Sequence, residues 1–63
     1  IIGFDAFFNN KNLGKISKID TMTSAQGLFI LDNEVMIPMH SNFLKQINYK
    51  KKLIIFKNLE GLI

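Results

Sequence analysis

The stretch KQINYKKKLIIFK, residues 45–57, decides the fold that this sequence predicts. Two short segments with apolar residues, 45–49 and 53–57, flank three consecutive lysines at positions 50–52. Adjacent lysines repel one another, so they favour a solvent-exposed turn between the two segments. Residues 45–57 therefore predict a β-hairpin, and the chain before them shows further short strands separated by turns.

The start of the chain predicts the first strand, because apolar side chains recur at every second position of residues 2–8. The face that this alternation predicts to point inward comprises Ile2, Phe4, Ala6 and Phe8. The asparagine-rich residues 9–12 predict a turn after it, because asparagine tolerates left-handed backbone and bonds its own main chain.

A second strand is predicted at residues 13–19, but its apolar positions break the strict alternation. Ile16 and Ile19 lie three residues apart, which would place them on opposite faces. We therefore expect a bulge or a strand end near Lys18. The small and polar residues 21–26 then predict the longest loop of the chain.

Residues 28–31 form an apolar run that is typical of a central strand. A tight turn at positions 32–33 leads into residues 34–39, whose proline cannot donate a hydrogen bond to a sheet and so marks a strand end or an edge. Residues 41–44 predict a single helical turn with Ser41 as its N-cap.

The predicted fold class is all-β: a small, closed or partly open β-barrel of about six short strands with one short helical turn. Closure removes the exposed strand edges that a chain of 63 residues can hardly protect otherwise. We expect a single domain over residues 1–63, held together by apolar packing alone because the chain has no cysteine.

Composition argues against several classes of function. All eight basic residues are lysines, so the chain lacks the bidentate fork with which arginine reads guanine edges and phosphates. The lone histidine, His40, has no second histidine, cysteine or carboxylate cluster to orient it as a base or a metal ligand. We expect no enzyme activity and no cofactor. No apolar run approaches the roughly 20 residues of a membrane span, and no signal-peptide pattern is visible, so a cytoplasmic setting is expected.

Taken in order, the elements of this sequence resemble the PRC-barrel of the RimM family of bacterial ribosome maturation factors. No single element is specific, but the ordered set covers essentially the whole chain. The elements that carry the resemblance are Ile2-Gly3-Phe4-Asp5, Leu13-Gly14-Lys15-Ile16, residues 28–31, Met36-Ile37-Pro38-Met39, residues 43–47, residues 53–56 and Glu60-Gly61-Leu62.

The resemblance implies a function in ribosome assembly. Proteins of the RimM family carry an N-terminal RNA-associated barrel before the PRC-barrel, so the chain is expected to be a fragment whose N-terminal domain is absent. They act as chaperones of the small ribosomal subunit, bind ribosomal protein nineteen of its head and support rRNA processing. The resemblance implies weak or indirect contact with rRNA, no membrane and no small-molecule substrate. The alternative is an SH3-like or OB-like barrel that binds RNA directly through exposed aromatic residues beside lysines.

Candidate partner contacts are the aromatic residues that lie out of phase with the predicted inward face, the lysines of the last hairpin, and Met36, for which the sequence leaves an inward and an outward position open. Exposed aromatic side chains often anchor protein partners, although in so small a domain most of them belong to the core. The lysines are expected to form one basic cluster, which either attracts phosphates or is simply a solvated turn. The candidates are Phe7, Phe29, Met36, Lys45, Lys50, Lys51, Lys52 and Lys57.

Overall fold

The computed structural model describes residues 1–21 and 27–62, and within those ranges it contains six strands and no helix. The predicted all-β class is confirmed. The strands are β1 (Asp5–Phe8), β2 (Lys11–Asp20), β3 (Leu28–Leu31), β4 (Met36–Pro38), β5 (Leu44–Asn48) and β6 (Leu53–Phe56).

The six strands form one sheet in the order β4-β3-β2-β1-β6-β5. β1 pairs with β6 in parallel, whereas the other neighbouring pairs are antiparallel. The sheet curls without closing, because β4 and β5 remain at its two edges. Of the two predicted forms, the structure is therefore the partly open barrel.

The long strand β2 bends the sheet into this shape. It pairs with β1 along its first half and with β3 along its second half, and the register shifts once in each ladder. The extra residue is Leu13 in the β1–β2 ladder and Ser17 in the β2–β3 ladder. The bulge predicted near Lys18 is therefore confirmed, at the neighbouring residue Ser17. Gly14, between Leu13 and Ser17, has φ of +130°, and a Cβ there would lie 2.6 Å from Oδ1 of Asp32.

The core fills the concave side of the sheet. β1 and β6 each alternate strictly, so that their inward residues pair across the parallel ladder while the residues between them point outward. Ile2 was predicted on the inward face and is exposed instead, because Gly3 turns the chain with φ of +91° before β1 begins. The core comprises Phe4, Ala6, Phe8, Ile16, Phe29, Leu31, Ile37, Ile54, Phe56 and Leu59.

The connection between β1 and β2 has the turn that its asparagines predict. Asn9 and Asn10 have φ of 52° and 63° and form a two-residue hairpin loop between Phe8 and Lys11, as the asparagine-rich segment predicts. The predicted loop at residues 21–26 lies outside the described residues except for Thr21, which directly follows β2.

The predicted helical turn at residues 41–44 is present as a hydrogen-bonded turn between β4 and β5. The Phe43 N–H donates to the carbonyl of His40 at 2.9 Å, and the Leu44 N–H donates to the carbonyl of Ser41 at 3.3 Å. The side chain that accepts a bond from the turn is His40, not Ser41: its Nδ1 lies 3.0 Å from the N–H of Asn42.

Candidate functional site

The outward face of β1 and β6 carries an apolar centre that the core does not cover. Phe7 pairs with Ile55 in the parallel ladder, and Leu53 lies two residues before Ile55 on the same face. All three side chains are half-buried. Together with Asn10 they line a shallow hollow of about 150 Å³. We call Phe7, Leu53 and Ile55 the β1–β6 face.

Polar side chains surround this apolar centre on the neighbouring strands. On β2, Asn12 pairs with Phe7 and Lys15 pairs with Asp5. The Nζ of Lys15 lies 3.0 Å from Oδ1 of Asp5, with both side chains reaching solvent. On the other side, Gln46 pairs with Ile55 and Asn48 pairs with Leu53. An apolar centre with a polar rim is the usual anatomy of a small protein-docking surface.

The two candidate phenylalanines have opposite environments. Phe7 points outward on the β1–β6 face, as its phase in the first strand predicts. Phe29 was predicted to be exposed and is not: only 5% of it is accessible, and its ring packs edge-to-face on Phe56 at 5.7 Å. The apolar run of β3 has no polar residue to mark its phase, so the sequence alone could not show that Phe29 faces the core.

Met36 lies apart from the other candidates. Its side chain is 55% exposed, which confirms the outward alternative left open by the sequence. It pairs with Ile30 at the β4 edge of the sheet, three strands away from β1. The structure does not bring Met36 onto the same surface as Phe7.

The turn between β5 and β6, residues 49–52, presents Lys50, Lys51 and Lys52 to solvent as predicted. Its backbone is fixed at both ends. The Lys51 N–H donates to Oδ1 of Asn48 at 2.9 Å, and the carbonyl of Lys52 accepts a bond of 3.1 Å from the N–H of Asp5. We call residues 49–52 the lysine turn.

Lys45 and Lys57 do not join the lysine turn, so the prediction of one basic cluster is wrong. They lie at the opposite end of the hairpin, where Leu44 pairs with Phe56. The five residues of β5 separate the two ends by roughly 15 Å at the usual rise per strand residue. Lys45 and Lys57 instead line a polar groove of about 360 Å³ with Glu60 and three asparagines, which are Asn9, Asn10 and Asn58.

A comparison with protein-family models assigns this sequence to a family. The model described as the RimM PRC barrel domain matches residues 1–62. The chain belongs to the RimM PRC-barrel family. This membership makes it a ribosome-maturation domain, as the resemblance implied. No curated protein and no solved structure matches the chain significantly.

Charge in this PRC-barrel domain is strongly polarised along the sequence. Residues 1–16 and 41–63, which include β1, β5 and β6, contain seven of the eight lysines and two of the five acids, a formal net charge of +5. Residues 17–40 contain one lysine and three acids, a net charge of −2. The β1–β6 face therefore belongs to the basic part of the domain, with lysines beyond both of its ends.

Sequence reasoning missed Tyr49, Leu53 and Ile55 as surface residues. Tyr49 was expected to belong to the core with most aromatic residues, yet it is 66% exposed at the start of the lysine turn. Its position beside three lysines was the available signal. The outward phase of Leu53 and Ile55 follows only from the pairing of β6 with β1, which the sequence does not specify.

His40 is exposed just after the end of β4, where its Nδ1 accepts a hydrogen bond from the Asn42 N–H and so contributes to the local turn. Within residues 1–21 and 27–62, no group of three or more histidine, cysteine, aspartate or glutamate residues has the geometry to hold a metal ion. The same part of the chain has no helix that is long and apolar enough to cross a membrane.

Proposed function

We propose that this domain is a non-enzymatic docking module that binds ribosomal protein nineteen in the immature small subunit. By that contact it acts as an assembly chaperone of the subunit head in the cytoplasm and supports processing of the small-subunit rRNA. Membership of the RimM PRC-barrel family supports the ribosome-maturation part of this proposal. The partner is the one that the resemblance to the RimM family implies, and the docking surface is inferred from the geometry of the sheet.

The observation that carries the proposal is the uncovered apolar centre formed by Phe7, Leu53 and Ile55. A few side chains that become fully desolvated supply most of the binding energy of an interface, and an accessible aromatic ring beside two aliphatic side chains can serve as such an anchor. The polar rim on β2 and β5 can exchange hydrogen bonds with the partner without burying an unpaired charge.

The mechanism needs no bond to be made or broken. A protein that binds one assembly intermediate more tightly than its competitors raises the population of that intermediate by mass action. The lysines beyond the two ends of the β1–β6 face would attract the domain towards the anionic subunit and speed encounter. In this account their contact with rRNA is weak and accessory, while the apolar centre determines the affinity for the protein partner.

Substitution of Phe7 by Ala tests the docking surface. We expect the dissociation constant for ribosomal protein nineteen, measured by calorimetry, to rise about 30-fold, because interface anchors contribute about 2 kcal/mol. Phe7 lies outside the core cluster, so the variant is expected to fold, which circular dichroism checks.

Met36→Ala is the matched control, since it also removes an outward apolar side chain but on the β3–β4 part of the sheet. Its dissociation constant should stay within about twofold of the unsubstituted domain, because surface contacts outside a docking anchor contribute little. Loss of binding in Met36→Ala with retention in Phe7→Ala would move the docking surface to the β4 edge.

A further inference from the structure

The most exposed aromatic side chain in the described part of the chain stands within its densest cluster of positive charge. Tyr49 is 66% exposed and is followed directly by Lys50, Lys51 and Lys52. The docking proposal above uses the lysines only as attractors and gives Tyr49 no role. Single exposed apolar side chains are common on protein surfaces, but this one is an aromatic ring directly beside three lysines, which together offer a stacking surface and positive charge.

The lysine turn holds this ring in a defined place. The side chain of Asn48 and the carbonyl of Lys52 each accept a backbone hydrogen bond that fixes the turn. The ring of Tyr49 meets that of Phe4 edge-to-face, with centroids 5.9 Å apart and planes inclined by 74°. Because Phe4 is a core residue, Tyr49 is anchored on one side and accessible over most of its surface. A partner would therefore meet an ordered platform.

The described residues show no ion pair at the three lysines of the turn, although the backbone of Asp5 adjoins Lys52. The ion pair that those residues show joins Lys15 to Asp5, and none engages Lys50, Lys51 or Lys52. Asn48 and Tyr49 precede the lysines and Leu53 follows them, so no carboxylate adjoins the run in sequence either. Three ammonium groups beside an accessible aromatic ring can attract anionic groups and offer a surface for stacking at the same time.

We propose that the lysine turn binds an unpaired RNA strand, with one base stacked on Tyr49 and the neighbouring phosphates neutralised by the three lysines. A single-stranded nucleotide offers an uncovered base and a phosphate at adjacent positions, which matches the ring and the ammonium groups. In an A-form duplex the bases are stacked within the helix, so Tyr49 could not reach one. An acidic peptide would satisfy the lysines but leave the ring without a matching surface.

Because the chain has no arginine, the contact should be tolerant of base sequence. The inference rests on the proposed function in one respect, namely that a ribosome-maturation domain works next to immature rRNA. It adds a second contact to that function, at the end of β5 and β6 and separate from the β1–β6 face.

Tyr49 reports on this site directly, because the chain contains one tyrosine and no tryptophan. We would titrate the chain with an unstructured ten-nucleotide RNA and with a duplex of equal length, following intrinsic fluorescence. Saturable quenching by the single strand and little by the duplex is expected. Neutralising three phosphates of a single strand gives a slope of about −2 in log affinity against log salt, or a loss of about 20-fold between 50 and 200 mM.

Two variants separate stacking from charge. Tyr49→Leu keeps an apolar side chain against Phe4 but removes the ring, so RNA affinity measured by anisotropy of a labelled strand should fall about tenfold with an unchanged salt slope. Lys50→Gln combined with Lys51→Gln should make the slope shallower by about 1.4. Lys45→Gln combined with Lys57→Gln removes the same charge at the other end of the hairpin and should leave the slope nearly unchanged. Circular dichroism checks that each variant is folded.

The inference is overturned if quenching does not occur, if the duplex binds as well as the single strand, or if the Lys45 and Lys57 pair matters as much as the turn. Competition by polyglutamate as effective as that by RNA would assign the turn to an acidic protein instead. The docking proposal has a separate readout: Tyr49→Leu should not change the affinity for ribosomal protein nineteen. Absence of RNA binding by the unsubstituted domain, with its binding to ribosomal protein nineteen intact, would overturn this inference and leave the docking proposal standing.

Discussion

Left-handed backbone at residues other than glycine shapes the turns of this domain. Among the described residues, three asparagines, Glu34 and Lys52 have φ between 52° and 70°. Asparagine adopts this conformation at little cost, whereas a long side chain such as glutamate pays about 1 kcal/mol or more. Glu34 follows the turn between β3 and β4, where its N–H donates to the carbonyl of Leu31 at 3.0 Å. Residues 32–34 form a three-residue hairpin loop, and such loops usually have glycine at the left-handed position.

Replacing Glu34 by Gly should therefore stabilise the domain. We expect the free energy of unfolding to rise by about 0.5 kcal/mol, because relief of the left-handed strain exceeds the added entropy of the unfolded chain. Urea unfolding followed by circular dichroism measures it. Glu34→Gln removes the charge but keeps the strain, so it should not reproduce the gain. Equal gains from both substitutions would show that charge, not backbone conformation, is responsible.

For single residues, the sequence predicts which face of a strand a side chain occupies only where polar residues mark the alternation. Phe7 was placed on the outside correctly, because Asp5, two residues before it, marks the outward face of an alternating strand. Phe29 was misplaced because its neighbours in β3 are all apolar and give no phase. Tyr49 was missed since its exposure depends on the length of the turn, which fixes where β5 ends.

The segment after β6 adds a side chain to the core of the open sheet. The segment after β6 folds back so that Leu59 is fully buried in the core. The N–H of Lys57 donates to the carbonyl of Phe43 at 2.8 Å, and the side-chain amide of Asn58 donates to the carbonyl of Asn42 at 2.9 Å. These bonds attach the segment to the turn before β5. Sequence reasoning assigned Leu59 no role in the core.

Truncation of Leu59 tests whether this segment is part of the core. Leu59→Ala should lower the free energy of unfolding by about 2–5 kcal/mol, measured by urea unfolding, since a cavity remains where the side chain was. A domain of this size can have little more stability than that, so the smaller change Leu59→Val, with an expected loss of about 1 kcal/mol, keeps the measurement possible.

Leu62→Ala is the control, because Leu62 belongs to the same segment but is 47% exposed. Its loss should stay below about 0.5 kcal/mol. Equal losses at Leu59 and Leu62 would mean that the segment after β6 does not contribute to the core in solution.

For the strands, prediction succeeded where local chemistry decides and failed where pairing decides. The three-residue spacing of Ile16 and Ile19 predicted the bulge that the β2–β3 ladder shows at Ser17. The parallel pairing of β1 with β6 joins strands far apart in the sequence, and no local pattern specifies it. The outer apolar centre exists because of this pairing, so two of its three residues could not be predicted.

For the whole molecule, the distribution of charge is the property most relevant to function. The two segments that contain β1, β5 and β6 carry a formal net charge of +5, and residues 17–40 carry −2. Such a molecule orients in the field of an anionic particle, so that its basic side approaches first. The total of +3 given by the composition does not show this asymmetry, nor that the lysines occupy both ends of one hairpin.

The central claim is that the domain recognises a protein of the small-subunit head through an apolar face. Calorimetric titration of the chain with purified ribosomal protein nineteen, and separately with an rRNA fragment of the head, across a salt series tests it most directly. We predict saturable binding to the protein with weak salt dependence, because apolar burial dominates, and weaker binding to the rRNA fragment that falls steeply with salt. Binding to the rRNA fragment alone would contradict the claim and make RNA the primary partner.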